Sequence, residues 1–315
     1  MSPTGFLSQI LAVIAALLLA PLLLGWVNQC RAWFQNRSGP GLLQPYRLLH
    51  KLFNKDSVMA ETASPLFRVA PYVVFGCMTL ACAIIPTLST DLPLSIVADA
   101  IALVGLFAVA RVFISLAAMD IGTAFGSLGA RREMLIGFLA EPALLTVFFT
   151  ASLISQSTAL TSIVENIAHR EFAIYPSLAF AGLAFTFVSF AENARVPVDN
   201  PATHLELTMI HEALILEYSG RHLALVEWAA ALKLFAYSCM GIALFFPWGI
   251  AEAQNPLALL YALPVLVAKL AIGGFLLAAV ESLSAKMRIF RVPEFLAGAF
   301  LLAVIGMLVH FLLGA

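Results

Sequence analysis

Acidic residues are concentrated in one short stretch of this chain. The segment 192–228 reads ENARVPVDNPATHLELTMIHEALILEYSGRHLALVEW and holds six of the eighteen Asp and Glu residues. Those six are Glu192, Asp199, Glu206, Glu212, Glu217 and Glu227. Carboxylates spaced a turn or more apart near a low-dielectric boundary have raised pKa values and can exchange protons through water. The stretch therefore predicts a pathway for protons or charge.

The local pattern predicts a helix over 202–219 that ends at the glycine after it. Glu206 and Glu217 would share one face of this helix, and His204 and His211 another. Apolar residues lie between the charges, which favours a buried or cavity-lining segment over a solvated loop. The two histidines are seven residues apart, too far for the usual pair of helical metal ligands, so we expect no metal site.

Composition predicts a polytopic membrane protein. The 315 residues are 62% hydrophobic and 11% charged, with a mean hydropathy of +0.96, whereas soluble domains carry about 25% charged residues. A net charge of −1 gives no reason to expect a nucleic-acid partner, and the four cysteines form neither a disulfide framework nor a cluster-ligand pattern. We expect one all-α membrane domain, 1–315, with about eight transmembrane helices. They are predicted near 5–28, 69–90, 96–118, 134–156, 175–193, 229–250, 257–280 and 294–314.

Lys and Arg residues indicate the orientation of the chain. Thirteen of them fall in the odd-numbered connections and only Arg170 falls in an even-numbered one. Because basic loops stay on the cytoplasmic side, both termini are predicted on the non-cytoplasmic side. Loop one, 29–68, and the acidic loop, 194–228, are then cytoplasmic.

Three basic residues lie inside predicted helices, where charge is costly and a bundle-facing or water-facing position is expected. Arg111 and Glu141 are both about 10 Å from the cytoplasmic helix ends, so we predict that they pair directly or through water, either for function or as a structural ion pair. Lys233 lies about one turn inside its helix and either snorkels or has a functional role. Lys269 is near mid-helix, which favours a buried relay role.

Loop one contains NRSGPGLLQPYRLLHKLF. The Gly-Pro-Gly sequence at 39–41 predicts a turn, and 42–53 predicts a short amphipathic helix. That helix would expose Arg47, His50 and Lys51. Two interpretations remain open: the helix lies on lipid headgroups, or it is a docking surface for a soluble partner.

With these residues laid out, ENARVPVDNPATHLEL followed by LEYSG resembles the complex I subunit 1 family, the membrane subunit beside the quinone site of NADH-quinone oxidoreductase. NRSGPG, with Tyr-Arg at 46–47 and HKLF at 50–53, resembles the hydrogenase branch of that family, the membrane subunits of formate hydrogenlyase and hydrogenase-4. Further matches are Leu-Phe-Arg at 66–68, GARRE at 129–133 and Glu-Pro at 141–142. The family usually has Glu where this chain has Ala202 and His204, and an acid where it has Leu48.

The resemblance implies a membrane-anchoring, energy-coupling subunit that links electron transfer in a soluble arm to proton or sodium translocation. Hydrogenase-like large and small subunits and iron-sulfur proteins would dock on the cytoplasmic side, with antiporter-like subunits beside the chain in a prokaryotic cytoplasmic membrane. Iron-sulfur clusters and a nickel-iron site belong to those partners; no catalytic residue and no cofactor is expected in this chain. The charge pathway would comprise Glu141, Glu192, Asp199, Glu206, Glu212, Glu217, Arg111, Lys233 and Lys269. Partner docking would involve Arg37, Gly39, Pro40, Gly41, Arg47, Lys51, Arg131, Arg132 and Arg195.

Three other interpretations remain open. In the first, this chain lies beside a quinone pocket in a complex I-like oxidoreductase. In the second it is a stand-alone ion transporter, although no internal repeat of the kind that many transporters contain is visible. In the third it is an anchor with no role in proton movement.

Overall fold

The computed structural model describes residues 3–96, 99–169, 176–199, 209–251 and 256–313. These residues form eleven α-helices and no β-strand, which confirms the all-α prediction. The helices are α1 (Pro3–Phe34), α2 (Gln44–Phe53), α3 (Pro65–Ile84), α4 (Ala100–Asp120), α5 (Ala124–Ser155), α6 (Leu160–His169), α7 (Pro176–Glu192), α8 (His211–Ile215), α9 (Gly220–Phe245), α10 (Pro256–Leu283) and α11 (Val292–Leu313).

Seven of these helices are long and apolar enough to cross a membrane: α1, α3, α4, α5, α9, α10 and α11. The eighth predicted span corresponds to α7, which is apolar but has 17 residues. Each predicted segment therefore coincides with one helix. The chain is a multi-pass membrane protein.

The helices pack around α9, which lies against α3 and α1. On one side α4 lies between α3 and α5, and α7 and α11 pack on α5; on the other side α10 packs on α1. α9 is the most buried of the seven long helices, whereas α10 and α11 are the least buried and expose much apolar surface. Exposed apolar helix surface in a membrane protein faces lipid or a neighbouring subunit.

Several helices extend further into the predicted loops than hydropathy indicated. α5 begins at Ala124, and α9 begins at Gly220, so Glu227 is helical. The continuous helix predicted up to residue 219 is wrong for the described residues, because α8 ends at Ile215 and a turn follows. Gly220 has φ +52°, and a Cβ there would meet the carbonyl oxygens of residues 55 and 56 at 2.8 Å. Glu206 lies outside the described residues.

The odd-numbered connections meet at one end of the bundle. Ser219 exchanges hydrogen bonds with the backbone of Val58, at 2.8 and 2.6 Å, and the backbone N–H of Met287 donates to the Pro197 carbonyl at 2.8 Å. We call this end the loop face; it comprises residues 35–64, 121–123, 193–199, 209–219 and 284–291.

The amphipathic helix predicted in loop one is confirmed as α2. Its apolar side, Leu49 and Leu52, packs on Ala224 of α9. Its other side exposes Arg47, His50 and Lys51, as predicted.

Candidate functional site

Arg111 of α4 is buried in the helix bundle, with 3% of its side chain exposed, and contacts three carboxylates. Its Nη1 donates to Glu141 of α5 and its Nη2 donates to Glu192, the last residue of α7. Its Nε lies 3.5 Å from Oε1 of Glu133, also on α5. The predicted pairing of Arg111 with Glu141 is confirmed, and two further acids join it.

The sequence of α5 explains how one helix supplies two of these carboxylates. Glu133, Gly137 and Glu141 are spaced four residues apart, so they lie along one face of the helix. The guanidinium of Arg111 lies over Gly137, where an added Cβ would come within 2.2 Å of Nη1. The glycine therefore leaves the space that the guanidinium occupies.

Lys233 of α9 adds a second cation to this group. Its Nζ is 2.8 Å from Oε2 of Glu192, whose side chain is 2% exposed. Glu192 thus lies between a guanidinium and an ammonium group. Of the two interpretations of Lys233, its geometry supports membership of the buried cluster.

His211 connects this cluster to the loop face. Its Nε2 is 3.1 Å from Oε2 of Glu133, and its Nδ1 is 3.6 Å from Oδ2 of Asp199. Asp199 in turn is 3.1 Å from Nζ of Lys286. We call these eight side chains the charge network: Arg111, Glu133, Glu141, Glu192, Asp199, His211, Lys233 and Lys286.

Asp199 fastens the two described ends of the acidic loop together. Its Oδ2 accepts hydrogen bonds from the backbone N–H groups of Ile210 and His211, at 3.3 and 3.4 Å. Burial by itself would raise the pKa of Asp199, but its hydrogen bonds and ion pairs with His211 and Lys286 lower it to about 2. The carboxylate is therefore ionised at any physiological pH.

The network lines a cavity of about 340 Å³. Arg111, Glu133, Glu192, His211 and Lys233 all contribute to its wall, and so does the predicted pathway residue Glu212. Such a cavity is large enough for several water molecules. Water there would contact both buried acids and groups of the loop face.

A second ion group lies beside the first. Arg195 is 3.2 Å from Glu281 of α10, which is 3.9 Å from Arg31 at the end of α1. Arg195 is buried, so its predicted place among the surface docking residues is wrong, because Glu281 holds its guanidinium inside the protein. This group ties the acidic loop to α1 and α10.

Two predicted pathway residues lie away from the network. Glu217 is exposed on the loop face. Lys269 donates to the backbone carbonyls of Phe246 and Trp248 and is partly exposed, and its relay role stays a prediction. It lines a second, largely apolar cavity of about 570 Å³ between α7, α9 and α10.

Most of the predicted docking residues are accessible. Arg37, Pro40, Gly41, Arg47, Lys51 and Arg131 are exposed, and Gly39 is half-buried. Gly41 has φ +88°, as a tight turn requires, and its N–H donates to the side chain of Gln29 at 3.1 Å. Arg132 instead donates to the Met209 carbonyl at 2.9 Å, so it holds the acidic loop on α5.

Fold and site together define a polytopic helical membrane protein with a buried charge network that connects the membrane helices to one loop face. Residues 8–312 match the family model described as NADH dehydrogenase. Formate hydrogenlyase subunit 4 of Escherichia coli is 34% identical over 291 residues, covering 91% of this chain and 94% of that protein. Hydrogenase-4 component C of the same organism is 34% identical over 253 residues, covering 80% and 79%. The chain therefore belongs to the NADH dehydrogenase/complex I subunit 1 family.

Two further comparisons extend this result. An NADH-quinone oxidoreductase subunit of Symbiobacterium thermophilum is 30% identical over 217 residues, covering 63% of each chain. The solved structure of an archaeal membrane-bound sulfane sulfur reductase contains a chain with a TM-score of 0.83, at 22% identity, covering 97% of this chain and 99% of that one. This last likeness establishes the fold.

Proposed function

We propose that this chain is the membrane-anchoring and energy-coupling subunit of a multisubunit membrane-bound hydrogenase of the formate hydrogenlyase or hydrogenase-4 type. The similarity to subunits of those two complexes covers most of the chain. The coupling part of the proposal depends on one observation: Arg111 contacts Glu133, Glu141 and Glu192 within the helix bundle. A purely anchoring chain has no need for this arrangement, since burying several charges is costly.

The network gives a physical route for coupling. Glu133 contacts both Arg111 and His211, and His211 contacts Asp199 of the loop face. A change in charge or position at the loop face would therefore alter the electrostatic environment of Glu192 and Glu141, and their protonation with it. Electron transfer in a docked arm would be linked to translocation of protons or sodium ions in this way.

Partners would bind where the loop face is exposed and basic. Arg37, Arg47 and Lys51 are accessible there, Arg131 is exposed on α5, and these basic side chains suit an acidic patch on a soluble partner. We expect those partners to be hydrogenase-like large and small subunits and iron-sulfur proteins, which would hold the iron-sulfur clusters and the nickel-iron site. Antiporter-like subunits would cover the apolar helix surfaces in a prokaryotic cytoplasmic membrane, with the loop face on the cytoplasmic side.

The test is coupled activity in the intact complex. The complex would be purified with its native partners, identified by mass spectrometry, and reconstituted in vesicles that contain a pH-sensitive dye. Glu192→Gln should retain hydrogen evolution from an artificial electron donor but lose ion translocation, and Glu165→Gln, on α6 outside the network, should retain both. Unchanged translocation in the Glu192 variant would support a simple anchor.

A second function, a quinone site in a complex I-like oxidoreductase, is supported by the cavity. It combines an apolar wall with charged groups such as Arg111 and His211, as ligand sites do, and a membrane protein of an NADH-quinone oxidoreductase is among the relatives. Quinone reduction by the purified complex that is sensitive to Glu133→Gln would favour this function. Hydrogen evolution without quinone would favour the first.

A further inference from the structure

His211 is the only described side chain of the network that contacts both a membrane helix and the loop-face carboxylate Asp199. It is the first residue of α8, its side chain is 24% exposed, and it lines the 340 Å³ cavity. Its two ring nitrogens face carboxylates from different parts of the chain, Glu133 and Asp199. A group in this position can exchange protons with cavity water and remain in contact with a buried acid.

Two other members of the network, Arg111 and Asp199, hold fixed charges near neutral pH. The guanidinium of Arg111 does not deprotonate in proteins. Lys233 and Lys286 each lie against a carboxylate, at 2.8 and 3.1 Å. Asp199 has its pKa lowered to about 2. Histidine is the side chain whose ordinary pKa lies within the physiological range.

The charge balance of the described network also depends on His211. Four carboxylates, on Glu133, Glu141, Glu192 and Asp199, contact the cations of Arg111, Lys233 and Lys286. Arg132 of α5 also interacts electrostatically with Asp199. A proton on His211 therefore adds one positive charge to a group that is largely buried.

The surroundings of His211 determine which form is favoured. Burial and the positive charge of Lys233 lower its pKa, but Glu133 and Asp199 outweigh them and raise it above the ordinary value. Charged groups around α8 come from each described element near it: Glu133 and Arg132 of α5, Arg111 of α4, Lys233 and Glu227 of α9, Asp199 and Lys286 of the loop face, and Glu212 of α8 itself. The two carboxylates thus stabilise the imidazolium form, which can still lose a proton.

We infer that His211 takes up a proton from cavity water and passes it to Glu133, and that its charge state controls how firmly α8 is held on the helix bundle. The transfer moves one proton: Nε2 of the imidazolium loses it, the Glu133 carboxylate becomes a neutral carboxyl, and no other bond changes. Both partners are then uncharged, so the ion-pair attraction between His211 and Glu133 is lost. α8 is then held on α5 by its apolar packing and by the hydrogen bond from Arg132 to the Met209 carbonyl. This inference rests on the proposed coupling function and names the residue that carries it.

The experiment uses the assembled complex in vesicles, with hydrogen evolution and ion translocation measured as functions of pH. His211→Gln cannot carry a proton, and His211→Lys keeps a charge that is not released near neutral pH. Both should evolve hydrogen but translocate at least about tenfold fewer ions per hydrogen formed, without the pH dependence of the wild type. His310→Gln, near the end of α11 and outside the network, is the matched control and should behave as wild type.

The possible results separate this inference from the proposed function. Wild-type translocation and pH profile in His211→Gln, with translocation lost in Glu192→Gln, would overturn the role of His211 and leave the coupling function standing. No translocation by the wild-type complex would overturn both. If the His211 variants do not assemble, hydrogen–deuterium exchange of wild-type residues 209–215 provides the test. Protection, corrected for intrinsic exchange, should fall as the pH rises above the ordinary histidine pKa of about 6.5, because the pKa of His211 is raised, and constant protection would overturn the inference.

Discussion

Glu133 and His211 meet 3.1 Å apart at the junction between the membrane helices and the loop face. Glu133 belongs to α5 and also lies 3.5 Å from Nε of Arg111. His211 belongs to α8 and also lies 3.6 Å from Asp199. The buried cluster and the acidic loop are therefore one continuous electrostatic unit. Individual contacts in this unit can be tested by substitution.

Arg111→Ala should be the most destabilising single change in the network. It removes one cation and leaves Glu133, Glu141 and Glu192 in the bundle without it. Breaking a buried ion pair by removing one partner costs about 3–5 kcal/mol. Thermal unfolding of the purified protein in detergent measures the loss. Arg131→Ala, an exposed arginine on α5, is the control and should change stability by less than about 0.5 kcal/mol. Equal effects of the two changes would contradict a structural role for the cluster.

Glu192→Gln should destabilise the protein more than Glu141→Gln. Glu192 contacts both Arg111 and Lys233 and is 2% exposed, whereas Glu141 forms its described ion pair with Arg111 and is 31% exposed. In Glu192→Gln the neutral amide leaves Arg111 and Lys233 without the carboxylate that they share. In Glu141→Gln it weakens one ion pair that is already partly hydrated. Chemical unfolding in mixed micelles compares the two variants directly. A larger loss for Glu141→Gln would contradict the described geometry.

Much of this arrangement follows from the sequence, and the exceptions have physical causes. Hydropathy located every span, and the similar depths of Arg111 and Glu141 predicted their contact. Glu133 was missed because the charges of GARRE were assigned to a loop, whereas α5 begins at Ala124. Both charged side chains have partners at this position: Arg132 donates to the Met209 carbonyl, and Glu133 contacts Arg111 and His211. The four-residue spacing of Glu-Gly-Glu on α5 was the available signal.

Other contacts had no comparable signal in the sequence. Lys286 meets Asp199, and Glu281 meets Arg195, across long separations in the chain. The packing of α10 on α1 and of α11 on α7 brings loop seven to the acidic loop. Hydropathy also assigned 220–228 to that loop, because charged residues at a helix end lower the mean hydropathy even where the helix continues.

Asp199→Asn should change how stability depends on acidity. The folded protein holds the pKa of Asp199 at about 2, below the ordinary value of about 3.9. A carboxyl of this kind stabilises the protein above about pH 4, and the contribution, on the order of 2 kcal/mol, is lost as the pH falls toward 2. The stability difference between wild type and Asp199→Asn should therefore shrink below pH 4, where the carboxylate becomes protonated, and should also decrease as the pH rises through the titration of His211, whose pKa Asp199 raises. A difference that is constant down to pH 2 would contradict this assignment.

Gly137→Ala should displace the guanidinium of Arg111 without changing any charge. The added methyl group would lie 2.2 Å from Nη1 and 2.6 Å from Cδ of Arg111. A free arginine would move aside at little cost, but this one is held by Glu133, Glu141 and Glu192, so relief of the overlap requires these contacts to lengthen.

Gly105→Ala on α4 is the matched control, because an added Cβ there has no atom within 4 Å, and alanine is favoured over glycine within a helix by about 1 kcal/mol. We expect a lower unfolding temperature and reduced translocation per hydrogen for Gly137→Ala, and unchanged or higher stability for Gly105→Ala. Because only the first substitution touches the network, equal behaviour of the two variants would show that the position of the guanidinium has no part in coupling.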